Sequence, residues 1–194
     1  MNKRGGLPVI YKLAKNRKTV RKFKSDVPNI DDILYTIKVA KEAPSGMNSQ
    51  PWHFLIIDDP QIKRKIKIIA EKAEKTFFEK AKGKLKEFLI TNNISWEKEF
   101  LNSAPYLLLV FSDIRFPFSK ESTWISIGYL LLALEEKNLS TVTYTPPNPL
   151  EISKLVNAPK YYKLEVILPI GYSNESKNKQ KRKNIDEIVS FNNF

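Results

Sequence analysis

Cysteine is absent from this chain of 194 residues, and histidine occurs once. The lack of cysteine excludes disulfides, thiolate metal sites and a cysteine nucleophile. With His53 as the single histidine, neither a multi-histidine metal site nor a Ser-His triad elsewhere can be built. No apolar run approaches the roughly 18 residues that a membrane-spanning helix needs. We therefore expect a protein that does not enter membranes.

The composition is that of a globular protein, with 42% hydrophobic and 11% aromatic residues. The length suits one domain with a sizeable core, so residues 1–194 are predicted to form a single domain. The first residues lead into no apolar segment of the signal-peptide type, and a cytoplasmic location is expected.

The formal net charge of +12 is compatible with nucleic acid, an anionic membrane surface or a phosphorylated ligand. Nine lysines lie between residues 63 and 86, and a second basic run covers residues 177–183. We interpret these runs as a solvated helix face and a mobile tail. Apart from Phe77 and Phe78, neither run is interleaved with aromatic residues, so a nucleic-acid partner is not expected.

Hydrophobic periodicity predicts four strands separated by helices. The strands are expected at residues 52–57, 106–112, 139–144 and 164–170. The helices are expected at residues 7–16, 29–42, 122–137 and 150–156, and from residue 59 to about 92 with a break near Gly83. This order favours an α/β or α+β sheet with helices on its faces. Residues 63–102 are predicted to be a helical excursion able to act as a lid, and residues 173–194 an extended tail.

The most informative segment is the loop that leads into the first strand, residues 43–54. Two prolines and a glycine stop the preceding helix and constrain the loop. Ser45, Asn48 and Gln50 then offer small polar groups on a restrained backbone. Such groups can read the edge of a flat heterocycle by hydrogen bonds, and we predict a flavin.

A second segment, residues 17–23, is basic and predicted to be extended. With a period of two, Arg17, Thr19 and Arg21 point to the same side. Two guanidinium groups and a hydroxyl on one side form a suitable phosphate clamp. The alternative is an ordinary basic surface, with Arg21 in a salt bridge within the fold.

Segments along nearly the whole chain resemble the nitroreductase family of flavoproteins. Residues 17–23 look like its Arg-Arg-Ser-Val-Arg-x-Phe opening. Residues 43–54 look like its Ser-Pro-Ser-x-x-Asn-x-Gln-Pro-Trp-x-Phe motif, which is the most specific of the matches. Residues 122–141 match its long central helix, with Asn-Leu-Ser where the family usually has Gly-Leu-Gly. Residues 170–172 and 182–189 look like its closing motifs.

The resemblance implies an α+β fold with a central, mostly antiparallel sheet flanked by helices, and a homodimer with FMN at the subunit interface. Arg17 to Thr19 and Arg182, with Lys183 or Lys181, would hold the phosphate. Pro146 and Pro147 cannot donate an N–H to the flavin N5, so Thr145 or Asn148 donates or the bond is missing. The full set of implied cofactor-binding residues is Arg17, Lys18, Thr19, Arg21, Pro44, Ser45, Gly46, Asn48, Gln50, Thr145, Pro146, Pro147, Arg182 and Lys183.

The leading function implied by the resemblance is an NAD(P)H-dependent FMN oxidoreductase. By a ping-pong mechanism, NADH or NADPH would reduce the flavin, which would then reduce a nitroaromatic, quinone or similar small-molecule acceptor. The flavin would carry the reactivity, so no catalytic side chain is predicted. Two alternatives remain open. One is the same fold with another reaction, namely reductive dehalogenation, enone reduction or flavin fragmentation. The other is a flavin-binding protein without turnover.

Overall fold

A four-stranded antiparallel sheet forms the centre of the molecule, whose computed structural model describes residues 8–92 and 94–194. The strands are β1 (Trp52–Ile57), β2 (Tyr106–Asp113), β3 (Ser140–Thr141) and β4 (Tyr162–Gly171). They lie in the order β1-β2-β4-β3, and every paired neighbour is antiparallel. The predicted mostly antiparallel sheet is therefore confirmed.

The two central strands, β2 and β4, are buried on both faces because they are continuous apolar runs. Along β2, Leu107 and Leu109 enter the core on one face of the sheet, whereas Leu108 and Val110 enter the core on the other. All four side chains have no exposed surface. Two hydrophobic layers thus share one sheet.

Helices cover both layers. They are α1 (Val9–Asn16), α2 (Ile30–Ala40), α3 (Pro60–Lys80), α4 (Gly83–Thr91), α5 (Phe100–Ser103), α6 (Ser119–Glu136) and α7 (Pro149–Leu155). Helices α2 and α6 pack on one face of the sheet, and α3, α5 and α7 pack on the other. No helix within residues 8–92 and 94–194 is long and apolar enough to cross a membrane.

Short-range side-chain chemistry sets several helix ends where the sequence predicts them. The Asn29 side chain accepts from the Asp31 N–H at 3.0 Å, and Asp59 accepts from Gln61 N–H at 2.7 Å. The predicted break near Gly83 is present, since α3 ends at Lys80 and α4 begins at Gly83. Helix α6 is followed by Asn138 in the left-handed conformation with φ 56°.

The third predicted strand is much shorter than expected. Only Ser140–Thr141 pairs continuously with β4, and Tyr144 returns to it as an isolated bridge to Ile167. Beyond β3, the extended segment 17–23 joins the sheet edge through a parallel bridge between Thr19 and Thr141. This pairing brings the predicted phosphate clamp to the edge of the sheet.

The interpretation of residues 63–86 as solvated surface is wrong at Lys63. This side chain is 7% exposed, and its ammonium donates to the carbonyls of Ala104 at 2.9 Å and Pro105 at 3.1 Å. Burial lowers the pKa of Lys63, and Asp58 opposes that shift. Lys63 joins α3 to the end of α5, so part of the basic run is structural.

Candidate functional site

Three cations from opposite ends of the chain form a basic cluster, which we define as Arg17, Lys179 and Arg182. Burial is the main cause that lowers the pKa of Arg17 and of Lys179. The charge of Arg182 lowers both pKa values further. Lys179 and Arg182 line the same cavity, and Lys179 Nζ bonds to the carbonyls of Ala14 and Lys15, just before Arg17. The Arg17 Nε is buried and has no hydrogen-bond partner within residues 8–92 and 94–194.

The tail reaches this cluster because two lysine side chains fasten it to backbone carbonyls. Lys18 donates to the carbonyls of Glu175 and Lys177, each at 2.9 Å. Lys179 donates to the carbonyls of Ala14 and Lys15 at the end of α1. The tail is thereby held against the end of α1 and the segment that follows it.

A cavity of about 220 Å³, the small cavity, adjoins the cluster. Of the predicted phosphate-binding residues, Lys18, Thr19, Arg21 and Arg182 line it. Lys183 is exposed and does not line it, and the tail lysines that do are Lys177 and Lys179. The phosphate-binding role of the tail stays a prediction, and neither of these two lysines is in the predicted set.

The basic cluster suits a phosphate. Among the described residues, Arg17, Lys179 and Arg182 form no ion pair. Glu135 is the neighbouring acid, and burial raises its pKa although the charges of Arg17, Lys179 and Lys18 oppose the shift. A dianionic phosphate would relieve the repulsion between the cations and give the buried Arg17 Nε a partner.

The loop at residues 43–50, the proline loop, has an unusual backbone. Met47, Asn48 and Gln50 have φ values of 57°, 53° and 43°. Left-handed backbone is costly for residues other than glycine and clusters at ligand sites. The strain is held by local bonds, since the Ser45 hydroxyl accepts from Gln50 N–H at 3.0 Å. Ser45 therefore shapes the loop in addition to any contact with a ligand.

The proline loop rests on helix α6. The Gly46 N–H donates to the Ser122 hydroxyl at 3.2 Å, and a Cβ at Gly46 would lie 3.1 Å from the Phe118 ring. Pro44, which precedes it, is exposed. Residues of this loop line neither the small cavity nor the large cavity described next. One copy of the chain thus does not join the loop and the basic cluster in a single pocket.

A large cavity of about 900 Å³ lies between α3, α4, the segment before α5 and residues 142–147. Arg21 lines both cavities, which are therefore adjacent. Of the predicted residues near the flavin ring, Thr145 and Pro147 line the large cavity, whereas Pro146 is buried. The volume is within the range of roughly 300–1,000 Å³ that is typical of small-molecule sites.

The wall of the large cavity contains a buried ion pair. Lys98 Nζ lies 3.3 Å from Glu74 Oε2, and each side chain is 8% exposed. Lys98 also donates to the Ser95 carbonyl at 2.6 Å and lies 5.1 Å from the centre of the Phe78 ring. Burial lowers the pKa of Lys98, and Glu74 opposes that shift. Burial of a charge costs desolvation free energy, so buried charges are found mainly where they are paired or have a function.

Sequence reasoning missed both members of this pair. One signal was available, because Glu74 follows the buried residues Ile66 and Ala70 at a spacing of four on α3. A carboxylate in a buried helical stripe is unusual. Lys98 has no comparable local signal, since its burial depends on packing against α3.

Comparison with known proteins gives consistent matches over the chain. Residues 14–172 match the model described as the nitroreductase family. An iodotyrosine deiodinase of Thermotoga neapolitana is 53% identical over 188 residues, covering 97% of this chain and all of the relative. Iodotyrosine deiodinase 1 of Rattus norvegicus is 35% identical, covering 92% of this chain and 68% of the relative.

Solved structures agree with these matches. A crystal structure of oxidized iodotyrosine deiodinase bound to FMN and 3-iodo-L-tyrosine has a TM-score of 0.93 and 54% identity, covering 95% of this chain and all of that one. A BluB-like flavoprotein from Clostridium difficile 630 has a TM-score of 0.79 and 25% identity, covering 96% of this chain and 99% of that one.

These matches overturn the leading functional prediction. Reduction of nitroaromatics or quinones is the wrong expectation, because relatives at 53% and 35% identity are named iodotyrosine deiodinases. The alternative reaction on the same fold, reductive dehalogenation, is the one that the similarity supports.

Proposed function

Because this chain belongs to the nitroreductase family, we propose that it binds FMN and catalyses reductive removal of the halogen from a halogenated tyrosine. The deiodinase relative at 53% identity and the structural neighbour with FMN and 3-iodo-L-tyrosine support this activity. The resemblance seen in the motifs had predicted the family, although not the favoured substrate.

The basic cluster would hold the FMN phosphate. Its three cations lack an ion partner among the described residues, and Arg17 keeps a buried donor without an acceptor. Thr19 and Lys18 line the adjoining small cavity. Phosphate oxygens match the forked donors of arginine.

A homodimer is part of the proposal, because the proline loop would have to come from a second copy. It lines neither cavity of its own chain. Apolar surface suited to such contact is present on α1, where Val9 and Ile10 are 69% and 70% exposed, and in the tail, where Phe191 is 83% exposed. Measurement of the mass in solution by light scattering tests this point, and a monomer that binds FMN with full affinity would contradict it.

The observation that carries the substrate assignment is the Glu74–Lys98 ion pair in the large cavity. The head group of an amino acid has one ammonium and one carboxylate. Glu74 can bind the ammonium and Lys98 the carboxylate, so that each charge exchanges its internal partner for one on the ligand. A simple phenol or nitroaromatic has no such pair of charges, and the buried pair would bring it no benefit.

The chemistry requires little acid–base machinery from the protein. Replacement of the carbon–halogen bond by a carbon–hydrogen bond consumes two electrons and one proton and releases halide. Reduced FMN, when bound, would supply the two electrons. The chain binds the head group through Glu74 and Lys98, and Phe77, Phe78 and Phe100 line the cavity and exclude water. Because residues 63–102 supply the ion pair, we assign this helical excursion the role of a lid.

Anaerobic single turnover tests the proposal directly. Protein reconstituted with FMN is reduced with dithionite and mixed with 3-iodo-L-tyrosine. We expect the flavin to be reoxidised with equal amounts of tyrosine and iodide formed. NADH and NADPH, the predicted electron donors, are then compared in place of dithionite. FMN-loaded protein that leaves 3-iodo-L-tyrosine unchanged while it reduces nitroaromatics would refute the assignment.

Variants of the ion pair connect the activity to the large cavity. Glu74→Gln and Lys98→Met should each raise the KM for 3-iodo-L-tyrosine, because the head group loses a charged partner. Glu79→Gln and Lys65→Met are matched controls, since both residues are exposed on the same helix. FMN content is measured for each variant to confirm folding. Equal KM values for all four variants would show that the pair does not bind the substrate.

A further inference from the structure

The hydroxyl of Tyr144 is a buried polar group without a partner. The residue is 7% exposed and lies among the residues that line the large cavity. Its Oη has no hydrogen-bond partner among the described residues. A buried hydroxyl left without a partner destabilises the fold, so its presence needs an explanation.

The backbone and the ring of Tyr144 are firmly placed. Its N–H and carbonyl both bond to Ile167 of β4, at 3.0 and 2.8 Å. The ring meets Phe100 edge to face, with centroids 5.5 Å apart and planes at 73°. Phenylalanine would satisfy all of these contacts, so packing explains the ring but not the hydroxyl.

The charged group that acts most strongly on this hydroxyl is the Glu74 carboxylate, which lines the same cavity. Burial is the main cause that raises the pKa of Tyr144. The charge of Glu74 and the approach of its carboxylate to the hydroxyl raise this pKa further, and Glu71 adds to the shift. The hydroxyl and the carboxylate are thus neighbours that do not meet the geometry of a hydrogen bond. The hydroxyl therefore stays protonated and can only donate to this carboxylate. The oxygen of this hydroxyl has less than 1 Å² of accessible surface, so it is shielded from the cavity. Direct contact with a substrate, or proton transfer to it, is excluded by this shielding.

We propose that Tyr144 is a positioning residue, whose hydroxyl donates a hydrogen bond to Glu74 when this carboxylate turns from Lys98 to the ammonium of the substrate. The inference rests on the proposed function. In the described structure, Lys98 holds Glu74 Oε2 at 3.3 Å. When the substrate ammonium pairs with Glu74, the hydrogen bond from Tyr144 replaces the contact between Glu74 and Lys98. Tyr144 thereby contributes to specificity for amino acid substrates over plain phenols.

The test uses Tyr144→Phe with two substrates that differ in the head group. For 3-iodo-L-tyrosine, KM should rise about tenfold with kcat maintained, since a hydrogen bond to a charged group is lost. For 2-iodophenol, which has no ammonium or carboxylate, kcat/KM should be unchanged. Tyr162→Phe is the matched control, because Tyr162 loses the same hydroxyl on β4 but does not line the large cavity.

A double variant examines whether the effect acts through Glu74. In a Glu74→Gln background, Tyr144→Phe should have a much smaller effect on KM than in the wild type. Equal losses with both substrates would show a purely structural role, and unchanged KM for 3-iodo-L-tyrosine would refute the inference. If the wild type dehalogenates neither substrate, the proposed function fails first, and the inference fails with it.

Discussion

The basic cluster allows a prediction in which stability and cofactor affinity change in opposite directions. Arg17→Met removes a guanidinium that is partly buried, lies close to Arg182 and has an Nε without a partner. Methionine keeps an apolar stem of similar length. Without FMN, the variant should be as stable as the wild type or more stable, because the desolvated charge and its repulsion are removed.

The effect on FMN affinity follows from the contacts that the phosphate would make. One charge-assisted hydrogen bond contributes about 1.5–3 kcal/mol, so Kd for FMN should rise about tenfold to about a hundredfold. Arg17→Ala with Arg182→Ala should lose several kcal/mol, at roughly 1.5–3 kcal/mol for each contact. Riboflavin has no phosphate, and its affinity should be nearly unaffected by either change.

Three measurements on the same samples decide the point: thermal unfolding without flavin, and fluorescence titration with FMN and with riboflavin. Lys183→Met is the matched control, because Lys183 is an exposed lysine of the same tail outside the small cavity. The control should retain FMN affinity. An Arg17→Met protein that is less stable without flavin yet binds FMN as the wild type does would show that Arg17 is structural and that the clamp is misassigned.

Two further predictions concern the scaffold. Asn138 follows α6 with φ 56°, a conformation that glycine adopts freely and alanine does not. In urea unfolding, Asn138→Ala should destabilise the protein by about 1 kcal/mol, whereas Asn138→Gly should be neutral or stabilising. Equal effects of the two substitutions would contradict this. The Arg115 guanidinium, 2.6 Å from Asp113, lowers the pKa of that carboxyl. The stabilisation from this ion pair is complete above the pKa of Asp113 in the unfolded chain, near 4. It is lost as the pH falls through the lower pKa that Asp113 has in the folded protein. Arg115→Met should therefore lose less stability than the wild type between about pH 5 and pH 2, and parallel pH profiles would refute this.

Local sequence determined the elements whose physical cause lies within a few residues. Asn29 and Asp59 cap their helices with their own carboxylate or amide oxygens, and Asn138 ends α6 in a conformation that asparagine tolerates. The continuous apolar runs of β2 and β4 required burial on both faces. The motifs at residues 17–23 and 43–54 identified the family correctly, because they are local as well.

The identity of the reaction was not contained in those motifs. They concern the proposed flavin site, whereas the proposed substrate pocket is lined largely by the helical excursion at residues 63–102. There the charged residues looked like surface, since the composition of residues 63–86 is that of a solvated helix. The expectation of a nitroaromatic or quinone substrate was wrong for this reason.

Tertiary structure alone decided which of the many charges are buried. Lys63 reaches the end of α5, Glu74 meets Lys98, and Lys179 joins Arg17 across nearly the whole length of the chain. Each burial depends on how elements distant in sequence pack, and a charged side chain carries no local sign of its future partner. The cost of removing a charge from water is set by its final surroundings. The sequence by itself thus determined the two central strands, the helix caps and the family, whereas packing decided the length of the third strand and which charges form the candidate site.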